Sequence, residues 1–102
     1  MAVEPTEAPA PRHPLIAAAE AERDAARAVF DERDAVYRAL LQRSYVASVR
    51  GLGTMASRHA LEAAATDAAA ERDVAHRRVV RANEAIRLAT LALQTQEVAA
   101  AT

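Results

Sequence analysis

Val49-Arg50-Gly51-Leu52-Gly53-Thr54 decides the fold. It holds both glycines of a 102-residue chain, and no other turn signal lies between residues 15 and 98. The flanking segments are rich in alanine, arginine, glutamate and leucine, all strong helix formers, and neither contains an interior glycine or proline. Two long helices folded back on each other at this point are therefore expected, an all-α antiparallel hairpin. Gly51 stands where a left-handed residue closes a helix. Thr54 is placed to cap the next one, with Ser57 as the alternative cap.

Working outward, the first helix is expected over residues 14–50, the turn over 51–54 and the second helix over 55–97. Pro14 suits a first helical position, where its missing N–H costs nothing. Residues 1–13 hold three of the four prolines and read as an extended or disordered arm, either a tail or a strap along a neighbour. Residues 99–102 read as a frayed tail.

A weak internal repeat fixes the register. Ala-Glu-Arg-Asp at 21–24 recurs at 70–73, an offset of seven heptads. In that frame one seam of helix 2 runs Ala65, Arg72, Val79, Ile86, Leu93 beside Leu61, Ala68, Ala75, Ala82, Ala89. Helix 1 offers Ile16, Arg23, Phe30, Tyr37, Ser44 beside Ala19, Ala26, Arg33, Leu40, Ala47. Folding about residue 52 sets Phe30 against Ala75, Tyr37 against Ala68, Leu40 against Ala65, Ala26 against Val79 and Ala19 against Ile86. Large faces small at each layer, so the backbones can approach closely in a coiled-coil-like seam. Arg23, Arg33 and Arg72 interrupt it and are expected to snorkel or pair with Glu20, Glu22, Asp24 or Asp73.

Composition narrows the class. The chain has 29 alanines and 13 arginines without a lysine, the bias of a GC-rich genome, which points to an actinobacterial or phage source. Thirteen basic against 14 acidic side chains give no whole-chain argument for nucleic acid. Cysteine is absent, so disulfides and thiolate metal sites are excluded. No apolar run approaches the roughly 18 residues of a membrane span, and no signal-peptide pattern opens the chain. No membrane is expected, and a cytoplasmic or particle-bound location is the default. Phe30, Tyr37 and Tyr45 are the only aromatic residues, so the core of a lone hairpin is thin.

Catalytic chemistry finds no support. The glycines form no phosphate loop, and Ser44, Ser48 and Ser57 lack a neighbouring base and orienting acid. Asp73-x-x-His76 and His59-x-x-Glu62 place a carboxylate and an imidazole on one helical face, but the position across from His76 is near Val29, which is no ligand. No enzyme activity, metal or cofactor is expected. Asp34 with Arg38, Asp73 with Arg77 and Glu84 with Arg87 have the spacing of ion pairs on a solvated face.

Two surfaces remain. Between Asp34 and Glu62 there is no acidic residue, while Arg38, Arg43, Arg50, Arg58 and His59 all fall there, so the hairpin tip is basic. Arg50 also complements the dipole at the end of helix 1. A second basic run, Arg77-Arg78-Val79-Val80-Arg81, lies midway along helix 2. Phosphate contacts would suit these arginines, but the aromatics that stack bases are missing, so nucleic acid is the secondary reading. At the open end, Leu88 and Leu91 point away from the seam beside Val80, and helix 1 adds Val29 and Val36. A helix apolar on most sides is buried among several neighbours. The expected function is a non-enzymatic structural or assembly subunit that self-associates or binds a heterologous helical partner through these five residues.

At the level of plan, a hairpin of this size with a glycine turn resembles the small helical-hairpin proteins of type VII secretion. Leu52-Gly53 lies near where that family carries Trp-x-Gly, without the tryptophan. The family's Tyr-x-x-x-Asp/Glu signal after helix 2 is also absent, since both tyrosines lie in helix 1. The resemblance implies a secreted hairpin as a third reading. A subunit of a phage particle fits the same plan.

Overall fold

A computed structural model describes residues 13–101 of the chain. The expected N-terminal arm lies outside the described residues except for His13. The fold is an antiparallel hairpin of α1, Pro14–Arg50, and α2, Met55–Ala101, with no strand among the described residues. Its longest extent is 71 Å, close to what 47 residues at about 1.5 Å each require.

Each end has a local cause. His13 precedes α1 in extended backbone, and its Nδ1 accepts a hydrogen bond from the Leu15 N–H at 3.1 Å. Pro14 follows at the first helical position. At the other end Gly51 takes φ 64°, ψ 32°, and the N–H groups of Gly51 and Leu52 both donate to the Ala47 carbonyl, a left-handed closure. Gly53 also has a positive φ, 75°. Thr54 then caps α2: its Oγ1 accepts from the Ser57 N–H at 3.0 Å, while the Ser57 hydroxyl donates back to the Thr54 carbonyl at 2.9 Å.

Helix α2 runs on through residues 98–101, which the sequence reading assigns to fraying and tail. Val98-Ala-Ala-Ala contains no breaker, and alanine is the strongest helix former, so nothing local ends the helix earlier. Because α2 is ten residues longer than α1, its last turns project beyond the start of its partner.

The interior is a column of alanine. The buried residues are Ala26 and Ala47 from α1 and Ala65, Ala68, Ala75 and Ala82 from α2. Among the described residues no large side chain is fully buried. Phe30, Tyr37, Leu40, Val79 and Ile86 are half-buried. Small residues let the helices close on each other, and the large ones then form a rim around them.

The seam departs from expectation at one layer. Arg33 turns outward to the Glu71 carboxylate at 3.2 Å, and Asp34 takes the sheltered position. Asp34 forms an ion pair with Arg38 of its own helix at 2.9 Å and lies 3.5 Å from Arg72 across the hairpin. Arg72 also lies over the Tyr37 ring, 4.3 Å from its centroid, and 3.8 Å from Asp73. Asp73 thus meets Arg72 and makes no ion pair with Arg77. Arg23 pairs with Asp24 at 3.1 Å and Glu20 at 3.8 Å. Arg33 with Glu71, Arg72 with Asp34 and Phe30 with His76 all have residue numbers adding to about 105, as a fold centred near residue 52 demands.

Candidate functional site

The open-end residues divide between faces. Val29 lines a shallow depression between the helices with Arg33, Glu71, Val74, Ala75, Arg78 and Arg81. Val36 lies one heptad from Val29 and Leu88 lies two heptads from Val74, so helical periodicity puts all four on this side of the hairpin. Val36, Val74 and Leu88 are exposed and Val29 is half-buried. Leu91, three residues beyond Leu88, continues the exposed surface onto the back of α2, and Val98 extends it by another heptad.

Val80 is exposed but separate. On the helical net Glu84 and Arg87 stand between it and the leucines, and they are joined by an ion pair with two hydrogen bonds. The single apolar patch expected from Val80, Leu88 and Leu91 is therefore interrupted. The interruption follows from the i,i+3 spacing of a carboxylate and a guanidinium, which find each other on one face.

Arg78, which lines the depression, takes part in an ion pair missed in the sequence. Arg78 Nε donates to Glu22 Oε1 at 2.7 Å, helix to helix. That hydrogen bond holds the Glu22 carboxyl below its ordinary pKa and raises the Arg78 guanidinium. The same effect of Arg87 lowers Glu84 and raises Arg87. The signal for the Glu22 pair lay in the fold register: their numbers add to about 100, within one to two helical turns of the 105 rule.

The basic residues of the tip differ in their surroundings. Arg50 ends α1, Arg58 is half-buried in the first turns of α2, and Arg43 and His59 are exposed. Arg38 is tied to Asp34, set back from the turn. Among the described residues Arg43, Arg50 and Arg58 make no ion pair. What the sequence reading omitted is apolar: Leu41, Tyr45, Val49, Leu52 and Met55 are all exposed at this end. The heptad frame already leaves Leu41, Tyr45 and Val49 off the seam, in keeping with their exposure.

Metal chemistry gains nothing from the arrangement. Among the described residues no three His, Asp or Glu side chains could hold an ion together. His76 lies beside the Phe30 ring, with centroids 5.7 Å apart and planes tilted by 55°. Among the described residues no helix is long and apolar enough to cross a membrane.

Comparison with protein-family models, with curated proteins and with solved structures finds no match for the chain.

Proposed function

We propose that the hairpin is a non-enzymatic assembly subunit that completes a helical bundle with a second copy or another helical protein. The single observation that carries this reading is the composition of the core. Each buried residue is an alanine, whose methyl contributes about 0.8 kcal/mol on burial, where a leucine or valine contributes about 1.5–3 kcal/mol. The larger apolar groups stand outside: Val36 and Val74 are exposed near the middle of the rod, and Leu88 and Leu91 toward its open end. Soluble monomers seldom leave such surfaces uncovered. Two hairpins packed on these faces would form a four-helix arrangement, the usual solution for helices of this kind.

Sedimentation equilibrium on the full chain and on Leu88→Glu with Leu91→Glu tests the proposal. The wild type is expected as a dimer or larger species, and the double variant as a folded monomer, since the new charges would be desolvated without partners. A wild type that is monomeric at high concentration and cooperatively folded would remove self-association. A heterologous partner, sought by what co-purifies with the native protein, would then be required.

A further inference from the structure

The far end of the rod from this interface has a different character. Of the 13 basic residues four lie between Asp34 and Glu62, and none of the 14 acidic ones does, leaving nine basic against 14 acidic elsewhere. Within the described residues 13–101 the remainder holds eight arginines against 12 acidic side chains, so the rod is polarised although the whole chain is nearly neutral. Val49 at 66 %, Leu52 at 53 % and Met55 at 67 % exposure bracket the turn itself, and Tyr45 at 65 % stands one helical turn behind. Arg50 lies among them. Arg58 is three residues into α2 from Met55, and Arg43 is seven residues from Arg50, about 10 Å back along the axis.

We propose that the hairpin tip docks peripherally on anionic lipid bilayers, inserting Val49, Leu52 and Met55 among the acyl chains while Arg43, Arg50 and Arg58 meet lipid phosphates. Three features favour this occupant. The charge is complementary: arginines without acidic partners attract an anionic leaflet. The shape is convex, with apolar groups projecting around a narrow end. A folded protein partner would need a matching socket, whereas a fluid bilayer conforms to a protrusion. The chemistry is mixed: phosphate contacts alone, as on nucleic acid, leave three aliphatic side chains in water and give them nothing to do. Apolar groups at the extremity with Arg50 among them, and Arg58, Tyr45 and Arg43 progressively behind, give the mixed apolar and basic character of interfacial anchors. No helix need cross the membrane, in keeping with the polar character of both helices.

Co-sedimentation of the full chain with vesicles tests this. Binding is expected to an equal mixture of phosphatidylglycerol and phosphatidylcholine, weakening with salt, and not to phosphatidylcholine alone. Arg43→Gln with Arg50→Gln should weaken it about 25-fold, roughly fivefold for each charge. Leu52→Ser with Met55→Ser should weaken it at least about tenfold at unchanged charge. Circular dichroism checks that each variant keeps its helices, and unchanged sedimentation separates the tip from the open-end interface. Lack of binding to the mixed vesicles overturns the proposal. So does binding indifferent to the serine substitutions. Retention of duplex or single-stranded oligonucleotides that both sets of variants report as arginine-dependent only, with vesicles unbound, would assign the tip to nucleic acid instead.

Discussion

Arg72 lies over the Tyr37 ring, its guanidinium carbon 4.3 Å from the centroid, while one of its nitrogens is 3.5 Å from Asp34. A charged residue therefore occupies a seam position by covering an aromatic face rather than by leaving the seam. The stack is half-sheltered, where such contacts stabilise by about 0.5–1 kcal/mol. Arg72→Ala should destabilise the hairpin by about 1 kcal/mol, combining this with lost packing of the stem. Tyr37→Phe should retain most of the stability. A double-mutant cycle of Arg72→Ala with Tyr37→Leu, by urea denaturation at one protein concentration, should show a coupling of about 0.5–1 kcal/mol. Additive losses would mean that the stack contributes nothing.

The two glycines should differ. Both have positive φ, but a Cβ on Gly51 would meet open space, whereas one on Gly53 would lie 2.5 Å from the Ser57 Oγ. Gly51→Ala should cost about 1–2 kcal/mol, the penalty of the left-handed conformation alone. Gly53→Ala should cost more, because the Ser57 hydroxyl must leave the Thr54 carbonyl to make room. Placing both substitutions in a Ser57→Ala background should narrow the difference. Equal costs in the original background would show that the Ser57 contact is relieved freely.

Ala26 has no exposed surface, while its neighbour Ala25 faces water. Ala26→Leu should force the helices apart and cost about 1–3 kcal/mol. Ala25→Leu should stay within about 0.5 kcal/mol of wild type. Thermal melts of the pair, followed by circular dichroism, measure the contrast. A stabilised Ala26→Leu would mean that the column of alanine is looser than its burial implies.

Acid should weaken the hairpin through Glu22. Its carboxyl is held low by the hydrogen bond from Arg78, so it binds a proton more readily in the unfolded chain. The stability it contributes is fully present above the unfolded value of 4.5 and is lost as pH falls through the lower folded value. Glu22→Gln should flatten the stability profile in that window and leave the slope near neutrality unchanged. The pair is solvent-exposed, so the contribution should shrink in high salt. An unaltered acid limb in Glu22→Gln would place the sensitivity elsewhere, with Glu84 beside Arg87 the next carboxyl to replace.

The hairpin was legible because its signals are local or periodic. Gly51 and Thr54 announce a helix end and a helix start, and the spacing of Ala65, Ala68, Ala75 and Ala82 repeats at the helical period. The exchange of Arg33 for Asp34 was not legible. It depends on Glu71 and Arg72 arriving from the other helix, and a seam register treats neighbours as equivalent. Val80 looked continuous with Leu88 for a similar reason: the intervening Glu84 and Arg87 matter only once they bond to each other. The apolar groups around the turn fall off the heptad seam in the sequence itself, but that they cluster with Leu52 and Met55 at one end shows only once the chain is folded.

Alanine repeated along α2 makes one heptad of the seam nearly interchangeable with the next. Alanine methyls give little resistance to sliding, so stagger is imposed by the tether between Arg50 and Met55, by cross-helix contacts of Phe30 and Tyr37 and by a few ion pairs. A chain cleaved between Leu52 and Gly53 would keep two intact helices and lose its chief gauge of length. The fragments would pair in several offsets of seven residues, with salt selecting among them. The turn thus acts as the zero mark of a ruler whose graduations are all alike.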